Sequence, residues 1–268
     1  MDKKVSIILS TYNEAPVIEN TISEIFKYIN DVEIILVDDN SLDGTFEKVK
    51  KIDNPNLKIF SRKSRGLASA FLLGLINSSG DIVGWMDSNM GILAKQLPKM
   101  IEKLSSQDIV VLSRYVEGGK DERSRLRILS SQIINLICRI ILSKDIKDYT
   151  SGVFVMRRSV LSTIVPICYG HGEFFIEFLY QAHKRGLNII ELPYVHPPDV
   201  KGLSKTASNI FRFFSLGFFY ITRIFLSILR RNWFTVLIIK IIIKLLIQIK
   251  FYTILIYLIV CAILINRG

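Results

Sequence analysis

Residues 4–113 repeat a unit in which a short apolar run, rich in β-branched residues, is followed by a polar turn and then by helical periodicity. The apolar runs predict strands at 5–10, 33–39, 57–60, 81–87 and 108–114. The intervening pattern predicts four helices. The first begins near Pro16, where proline suits a first helical turn, and the second ends near Ile52. The third and fourth cover 66–79 and 95–105. Strands that alternate with helices at this spacing indicate an α/β domain with a mostly parallel sheet, flanked by helices.

Polar residues follow four of these strands, in the stretches TYNE, DDNS, DSN and SRY. In a parallel sheet such residues gather at the edge formed by the carboxyl ends of the strands, where ligands bind. Four of them are acidic, namely Glu14, Asp38, Asp39 and Asp87. Carboxylates crowded at one edge repel each other unless they bind a cation or hydroxyl groups. The pattern therefore predicts a nucleotide or sugar site.

The pattern changes near residue 208, and from 210 to 265 the chain is overwhelmingly apolar, with basic but no acidic residues. Residues 207–231 have the periodicity of an amphipathic helix that lies on a membrane. The run 233–265 is long enough for one tilted membrane span. We favour an interfacial or oblique helix over 233–249 and a short inserted segment over 251–265, with a tight hairpin as the alternative.

Charge and cysteine content narrow the class of protein. The net charge of +11 comes partly from the apolar tail, which indicates an anionic lipid surface as a partner rather than nucleic acid. Three scattered cysteines form no C-x-x-C pair, as is typical of a reducing compartment. The first apolar stretch is too short for a signal peptide, so we expect the first domain in the cytoplasm.

Seven stretches carry a resemblance to a known family: STYNE, VDDNSLDGT, RGLASAFLLG, GWMDSN, SRYVEGG, DYTSGVFVMRR and EFLYQAHKRGLNIIELP with GLSK. In this order and spacing, residues 4–205 resemble the family-2 glycosyltransferases with a GT-A fold. More narrowly, they resemble the dolichyl-phosphate mannose synthase group and its bacterial polyprenyl-phosphate relatives. The resemblance implies a GT-A catalytic domain at 1–206, an interfacial helix region at 207–232 and a membrane-associated tail at 233–268.

The resemblance also implies an activity. Such enzymes transfer a sugar, with inversion, from a nucleotide sugar to a polyprenyl or dolichyl phosphate at the cytoplasmic face of a membrane. Mannose from GDP-mannose is the most familiar donor and glucose from UDP-glucose the next, and no residue chooses between them. The sequence leaves open whether the chain also pairs with copies of itself.

By the same resemblance, a set of residues binds the donor nucleotide. Ser10, Tyr12 and Glu14 line the base and ribose, and Asp39 accepts a hydrogen bond from one of them. Val37 and Ser88 belong to the same nucleotide-binding set. Asp38 is expected to be structural, with its carboxylate hydrogen-bonded to loop amides. Asp43 and Gly44 are assigned to the turn.

Asp87 and Asn89 occupy the positions of the family's D-x-D metal motif, which implies Mg²⁺ or Mn²⁺ at the diphosphate. The chain departs from the motif at Asn89, where an aspartate is usual, and at Gly91, where a glutamine is usual. One carboxylate and one amide carbonyl can suffice for Mg²⁺, which takes few protein ligands beside phosphate oxygens. We therefore expect a weak metal dependence.

The cations expected near the phosphates are Arg114 and Lys205, which with Asp87 form the predicted catalytic set. Two arginines usual in the family are missing, because this chain has Gln132 and Asp199 in their places. The residues that are candidates to supply the lost charge are Lys201, Arg123, Arg125 and Arg127.

Two other functions stay open on the sequence. A phosphate acceptor is already ionised near neutral pH and needs no general base, whereas a sugar hydroxyl does. Glu173 and Glu177 lie near where other family-2 enzymes place that base, although a helix-start role explains Glu173 and a packing role explains His171. A catalytically silent subunit that binds nucleotide sugars is the second alternative.

Overall fold

The computed structural model describes residues 4–167, 169–198 and 210–231. Nine strands lie at Val5–Thr11 (β1), Val32–Asp38 (β2), Leu57–Ser61 (β3), Ile82–Asp87 (β4), Ile109–Ser113 (β5), Lys120–Asp121 (β6), Val153–Arg157 (β7), Ile189–Pro193 (β8) and Val195–His196 (β9). The α-helices are Ile18–Tyr28 (α1), Thr45–Lys50 (α2), Leu67–Asn77 (α3), Leu97–Lys103 (α4), Arg125–Ile141 (α5), Val160–Thr163 (α6), Phe174–Lys184 (α7) and Ile210–Arg231 (α8). A 3₁₀ helix covers Gly91–Gln96.

The five predicted strands all form, and the helices begin or end within a few residues of their predicted bounds. Helix α1 begins at Ile18 rather than near Pro16, because the amides of Val17 and Ile18 both donate to the carbonyl of Glu14 in a preceding turn. The helix predicted over 95–105 is shorter and follows a 3₁₀ segment. Pro98, at the start of α4, suits this junction because it lacks an N–H to donate.

Seven strands form one sheet in the order β3-β2-β1-β4-β7-β5-β8. All neighbours are parallel except β7, which runs antiparallel to both β4 and β5. The amino end of β7 therefore lies at the same edge as the carboxyl ends of the other strands. This inversion brings residues 148–152 to the edge where the sequence predicts a ligand site.

Helices cover both faces of the sheet, as the continuous apolar runs of β1 and β2 require. Ile7 and Leu9 of β1 pack in one core with apolar residues of α1 and α4. On the opposite face Gly74 of α3 lies against Ile8, so closely that a Cβ at Gly74 would lie 2.4 Å from the Ile8 side chain.

The C-terminal expectations are tested only in part. Residues 210–231 form a helix, as expected for the amphipathic segment, while 199–209 and 232–268, including the predicted tail, lie outside the described residues. Within the described ranges, no helix combines the length and the apolar character that crossing a bilayer demands. Cys138 is buried and not in a disulfide, and Cys168 and Cys261 lie outside these ranges.

Candidate active site

The carboxyl-end edge of the sheet brings three of the predicted residues into one row. Ser10 of β1 pairs with Val37 of β2 on one side and with Asp87 of β4 on the other. The Ser10 hydroxyl is buried, and it finds no hydrogen-bond partner among the described residues. Because buried hydroxyls are normally hydrogen-bonded, this edge is suited to a polar ligand.

Asp87 is the residue with the most perturbed surroundings in this row. Burial, reinforced by the nearby carboxylate of Glu14, raises the pKa of Asp87 to about 6. Its carboxylate rests against Gly152, where a Cβ would lie 2.4 Å from Oδ2 of Asp87. A bound cation stabilises the ionised form of such a buried carboxylate. The absence of a side chain at Gly152 leaves room beside it.

The residues around Asp87 fit a divalent cation held by few protein ligands. No group of three or more His, Cys, Asp or Glu side chains comes together as a metal cluster in the ranges the structure describes. Asn89 is exposed beside Asp87, whereas Ser88 is buried and its carbonyl accepts a hydrogen bond from Thr21 Oγ1 at 2.7 Å. Asp87 and Asn89 would hold the cation, which needs further oxygens from phosphate or water.

The two aspartates that end β2 differ in their surroundings. Asp38 accepts hydrogen bonds from Thr11 Oγ1 and from the amide and hydroxyl of Ser41, which agrees with the structural role expected for it. Asp39 accepts from Arg62 Nε at 2.5 Å and from the amide of Gly66 at 2.8 Å. Each carboxylate oxygen keeps a further lone pair, so Asp39 can still accept from a nucleoside while Arg62 holds it in place.

Tyr12 and Glu14 lie in the loop after β1. The guanidinium of Arg65 stacks on the Tyr12 ring, 3.4 Å from its centroid. Glu14 is buried, and its amide donates to Thr45 Oγ1, while the neighbouring amide of Ala15 donates to Asp43. Sequence reasoning missed Arg62 and Arg65. The cation-rich stretch RKSRG, between a strand and a helix, was the available signal.

Arg114 directly follows β5 and is held by an ion pair with Asp148. Its guanidinium is buried and donates to both oxygens of Asp148, at 2.8 and 2.7 Å, and to Thr150. Burial works against the charge, but Asp148 outweighs it and raises the pKa of Arg114. Asp121 connects Arg114, at 3.5 Å, with Arg123, at 2.6 Å. These contacts give Arg114 the means to position Arg123 and Thr150.

A cavity of about 400 Å³ opens beside Asp87. Its polar lining includes Asp87, Arg123, Arg127, Ser130, Ser131, Thr150 and Tyr220. Its apolar wall includes Trp85, Phe154, Phe174 and Phe175, whose rings pack against one another. The cavity is thus charged at one end and aromatic along one side.

Two of the four candidate replacement cations line this cavity. Arg123 and Arg127 do so, whereas Arg125 is exposed and absent from the lining. Lys201 and the predicted catalytic Lys205 lie outside the described residues, as does Asp199.

The acidic residues considered as general bases are held in the protein interior. Glu173 precedes α7, is buried, and accepts the amide of His171 with both oxygens at 3.0 Å. Glu177 is buried within α7. His171 lines the cavity.

This fold and site define a class of enzyme. Residues 6–165 match Glycosyl transferase family 2, so the chain belongs to that family and is a glycosyltransferase. Its sheet and helices have the GT-A fold, which it shares with glucosyl-3-phosphoglycerate synthase from Mycobacterium tuberculosis in complex with Mn²⁺, UDP and glucosyl-3-phosphoglycerate. That likeness has a TM-score of 0.63 at 20% identity, over 84% of this chain and 80% of the other.

Individual relatives narrow the comparison. A dolichol-phosphate mannosyltransferase of Pyrococcus furiosus is 34% identical over 75% of this chain, and the match spans 59% of that relative's length. An undecaprenyl-phosphate mannosyltransferase of Micrococcus luteus is 27% identical, over 77% of this chain and 89% of the relative. A polyprenol monophosphomannose synthase of Mycolicibacterium smegmatis is also 27% identical, over 78% and 83%.

Proposed function

We propose that this glycosyltransferase moves a sugar from a nucleotide sugar to the phosphate of a polyprenyl phosphate. The names of the relatives support this acceptor class. The observation that carries the proposal is the cavity, in which Asp87, Arg123 and Arg127 share one space with an aromatic wall. A polyprenyl phosphate has the matching chemistry, since it joins a dianionic head to an apolar chain.

The chemistry of the acceptor fits the residues of the site. An oxygen of the acceptor phosphate attacks the anomeric carbon, the bond from that carbon to the diphosphate oxygen breaks, and the nucleoside diphosphate leaves. Attack from the opposite side inverts the anomeric centre. A divalent cation, when bound, neutralises the leaving diphosphate. Arg123 and Arg127 orient the acceptor phosphate, and the aromatic wall excludes water.

Transfer to a sugar hydroxyl is less well supported. It calls for a carboxylate base in the cavity. Glu173 is held by the His171 amide and Glu177 is buried in α7, so neither is presented as a base. The proposed phosphate acceptor removes the need for that group.

The donor and the location are proposed on the family resemblance. Mannose from GDP-mannose is the first donor to test, and glucose from UDP-glucose the second. We place the reaction at the cytoplasmic face of a membrane, with α8 beside the lipid and the catalytic domain in the cytoplasm.

The test is an assay of purified membranes that contain the chain. They are incubated with GDP-mannose, UDP-glucose and related donors, a polyprenyl phosphate, and Mg²⁺ or Mn²⁺. The expected product is a sugar-phosphate lipid formed from one donor. Absence of that lipid with every donor, or sugar found on an oligosaccharide hydroxyl instead, would contradict the proposal.

A matched pair of variants tests the role of the cavity cations. Arg127→Gln removes a charge from the cavity lining, and we expect the KM for a short-chain acceptor in detergent to rise roughly tenfold or more. Arg125→Gln removes the same charge from an exposed position on the same helix and should leave that KM unchanged. Equal KM values for both variants would exclude Arg127 as an acceptor ligand.

A further inference from the structure

Arg65 differs from its neighbour Arg62 in what its guanidinium contacts. Arg62 donates to Asp39, to Ser69 Oγ and to the carbonyl of Gly66, so its hydrogen bonds are made within the protein. Arg65 is exposed, and no group in the described part of the chain accepts a hydrogen bond from it. A guanidinium has five N–H donors, and those of Arg65 are therefore available to a ligand.

The Arg65 guanidinium is nevertheless held in a defined place. Its central carbon lies 3.4 Å from the centroid of the Tyr12 ring. At that separation the guanidinium lies flat on the ring, because an N–H pointed at the ring would keep the central carbon farther away. The N–H groups then point sideways, parallel to the ring face, where the edge of a planar partner can meet them. The next amide along the chain, that of Gly66, donates to Asp39 at 2.8 Å and fixes the end of this loop.

The order of the strands places Asp39 and Arg65 away from Asp87. Asp87 ends β4, and the next strands in the sheet are β1 and then β2. Asp39 comes directly after β2, and its amide donates to the carbonyl of Thr11 at 2.9 Å. Two strand spacings separate β4 from β2, which is a distance of about 10 Å. A nucleotide whose diphosphate lies at Asp87 therefore has its base, rather than its phosphates, near Asp39 and Arg65.

Asp39 and Arg65 together complement the hydrogen-bonding groups of guanine. This base carries two adjacent donors, N1–H and the 2-amino group, and beside them two acceptors, O6 and N7. A carboxylate accepts from the two donors, and a guanidinium fork donates to the two acceptors. Uracil has a single N–H between two carbonyl oxygens, so it offers one hydrogen bond to the carboxylate and no adjacent pair of acceptors to the fork.

We propose that Arg65 is a specificity-determining residue that donates to O6 and N7 of a guanine base, so that the chain selects a guanosine diphosphate sugar as its donor. The inference deepens the proposed function, on which it rests for the claim that the donor is a nucleotide sugar. It adds the residue that chooses between guanine and uracil. Nucleotide binding can be measured without sugar transfer.

Two variants of the full chain form a matched test. Arg65→Met keeps the length of the side chain and removes its charge and its N–H donors. Lys63→Met removes a charge from an exposed position in the same loop. The Kd values for GDP and UDP are measured in detergent by calorimetry with Mg²⁺ present, and thermal unfolding establishes that each variant is folded.

We expect the parent chain to bind GDP more tightly than UDP. Arg65→Met should raise the Kd for GDP roughly tenfold and leave the Kd for UDP unchanged, because a two-pronged contact to the base is lost. Lys63→Met should change neither constant. The analogue 7-deaza-GDP lacks the N7 acceptor, so it should bind the parent chain more weakly than GDP and bind Arg65→Met as tightly as GDP does.

Several outcomes would overturn the inference. One is a Kd for GDP that is equal in the parent chain and in Arg65→Met, and another is a parent chain that binds UDP at least as tightly as GDP. Equal losses for GDP and UDP would also do so, because Arg65 would then contact the diphosphate or only support Tyr12. Binding of neither nucleotide would overturn the inference together with the proposed donor class.

The binding and transfer assays separate this inference from the proposed function. A parent chain that binds GDP through Arg65 but forms no sugar-phosphate lipid would keep the inference and contradict the proposed function. Transfer of glucose from UDP-glucose to the lipid, unchanged in Arg65→Met, would keep the proposed function and overturn the inference.

Discussion

Asp87 ends β4 with its carboxylate against Gly152, and burial, together with the nearby carboxylate of Glu14, raises its pKa to about 6. Asn89, two residues later, is exposed and would offer an uncharged amide oxygen to a cation bound at Asp87. A cation bound here would have one negatively charged ligand from the motif, Asp87, rather than two. The affinity of such a site rises with the number of charged ligands.

Asn89→Asp should therefore strengthen metal dependence. We expect the half-saturating concentration of Mg²⁺ or Mn²⁺ in the transfer assay to fall by roughly tenfold, because a second carboxylate joins Asp87. Asn30→Asp adds the same charge at an exposed position before β2 and should change nothing. A half-saturating concentration that is equal in all three proteins would exclude residue 89 as a ligand.

For single residues, the sequence predicts the place in the sheet better than the hydrogen-bond or ion-pair partner. Asp87 was predicted at the ligand edge because the end of a strand can be recognised from its apolar run, and the register places Ser10 between Asp87 and Val37. Arg114 was predicted as a phosphate ligand, and that role stays a prediction. Its pairing with Asp148 was not foreseeable, because the two residues are 34 positions apart and no local pattern connects them.

At the scale of elements, the Arg114–Asp148 pair joins the end of β5 to the loop before β7. The pair is buried, and Arg114 donates a hydrogen bond to Thr150 of the cavity lining. Asp121 links Arg114 to Arg123, which also lines the cavity. Breaking a buried ion pair leaves an uncompensated charge, which costs several kcal/mol. An Arg114 variant can therefore lose activity only because the cavity lining is no longer held in place.

Arg114→Lys and Asp148→Asn should consequently have the same phenotype. Each loses the two-pronged hydrogen bond, so we expect the free energy of unfolding to fall by about 3 kcal/mol and activity to fall in parallel. Chemical denaturation and the transfer assay measure the two effects. Glu122→Gln removes one partner of the exposed pair with Lys120 and should cost well under about 1 kcal/mol.

The outcome that would contradict this view is specific. If Arg114→Lys lost activity at unchanged stability while Asp148→Asn stayed active, the guanidinium would act on the substrate directly.

The elements themselves were predicted well where strand and helix alternate. Residues 4–113 obey that alternation, and the five predicted strands are present. Strand β7 was not predicted, because it follows a long helix and runs against the others, and an apolar run shows neither direction nor neighbour. Thus the half of the site that reaches the edge through 148–152 could not be placed from the sequence.

At the scale of the whole molecule, the edge formed by the carboxyl ends of the parallel strands and the edge formed by their amino ends differ in their side chains. The carboxyl-end edge holds the ligand site, whereas the other edge holds a closed network around Glu33. This carboxylate is buried and accepts from Ser6 Oγ at 2.6 Å, from Lys58 Nζ at 2.8 Å and from Ser79. Burial alone would raise the pKa of Glu33, but hydrogen bonds from Lys58, Ser6 and Ser79 outweigh it and lower the pKa to about 2.

The Glu33 network should appear in the pH dependence of stability. A carboxyl whose pKa falls from 4.5 to about 2 on folding contributes at most about 3 kcal/mol, fully present above pH 4.5 and lost as pH falls towards 2. Glu33→Gln should lower the free energy of unfolding by about 2 kcal/mol at pH 7 and flatten its decline in acid. Denaturant titrations between pH 3 and 7 measure both effects.

The Glu24–Lys27 pair provides the control, because it joins the same residue types on the exposed surface of α1. Glu24→Gln should change stability by less than about 0.5 kcal/mol and keep the acid decline of the parent chain. A decline in Glu33→Gln as steep as in the parent would show that other carboxylates cause it.

The position of β7 between β4 and β5 also imposes an order on folding during synthesis. When the ribosome has released residues up to 113, five strands exist but only β1 to β4 can pair, because β5 contacts β7 and β8 and none of the earlier strands. Until 153–157 emerge, the edge of β4 stays open, and open edges are where nascent chains aggregate. Strand β7, which follows Gly152, covers the open edge of β4. The pairing that brings Gly152 against Asp87 therefore also removes the edge at which the nascent chain could aggregate.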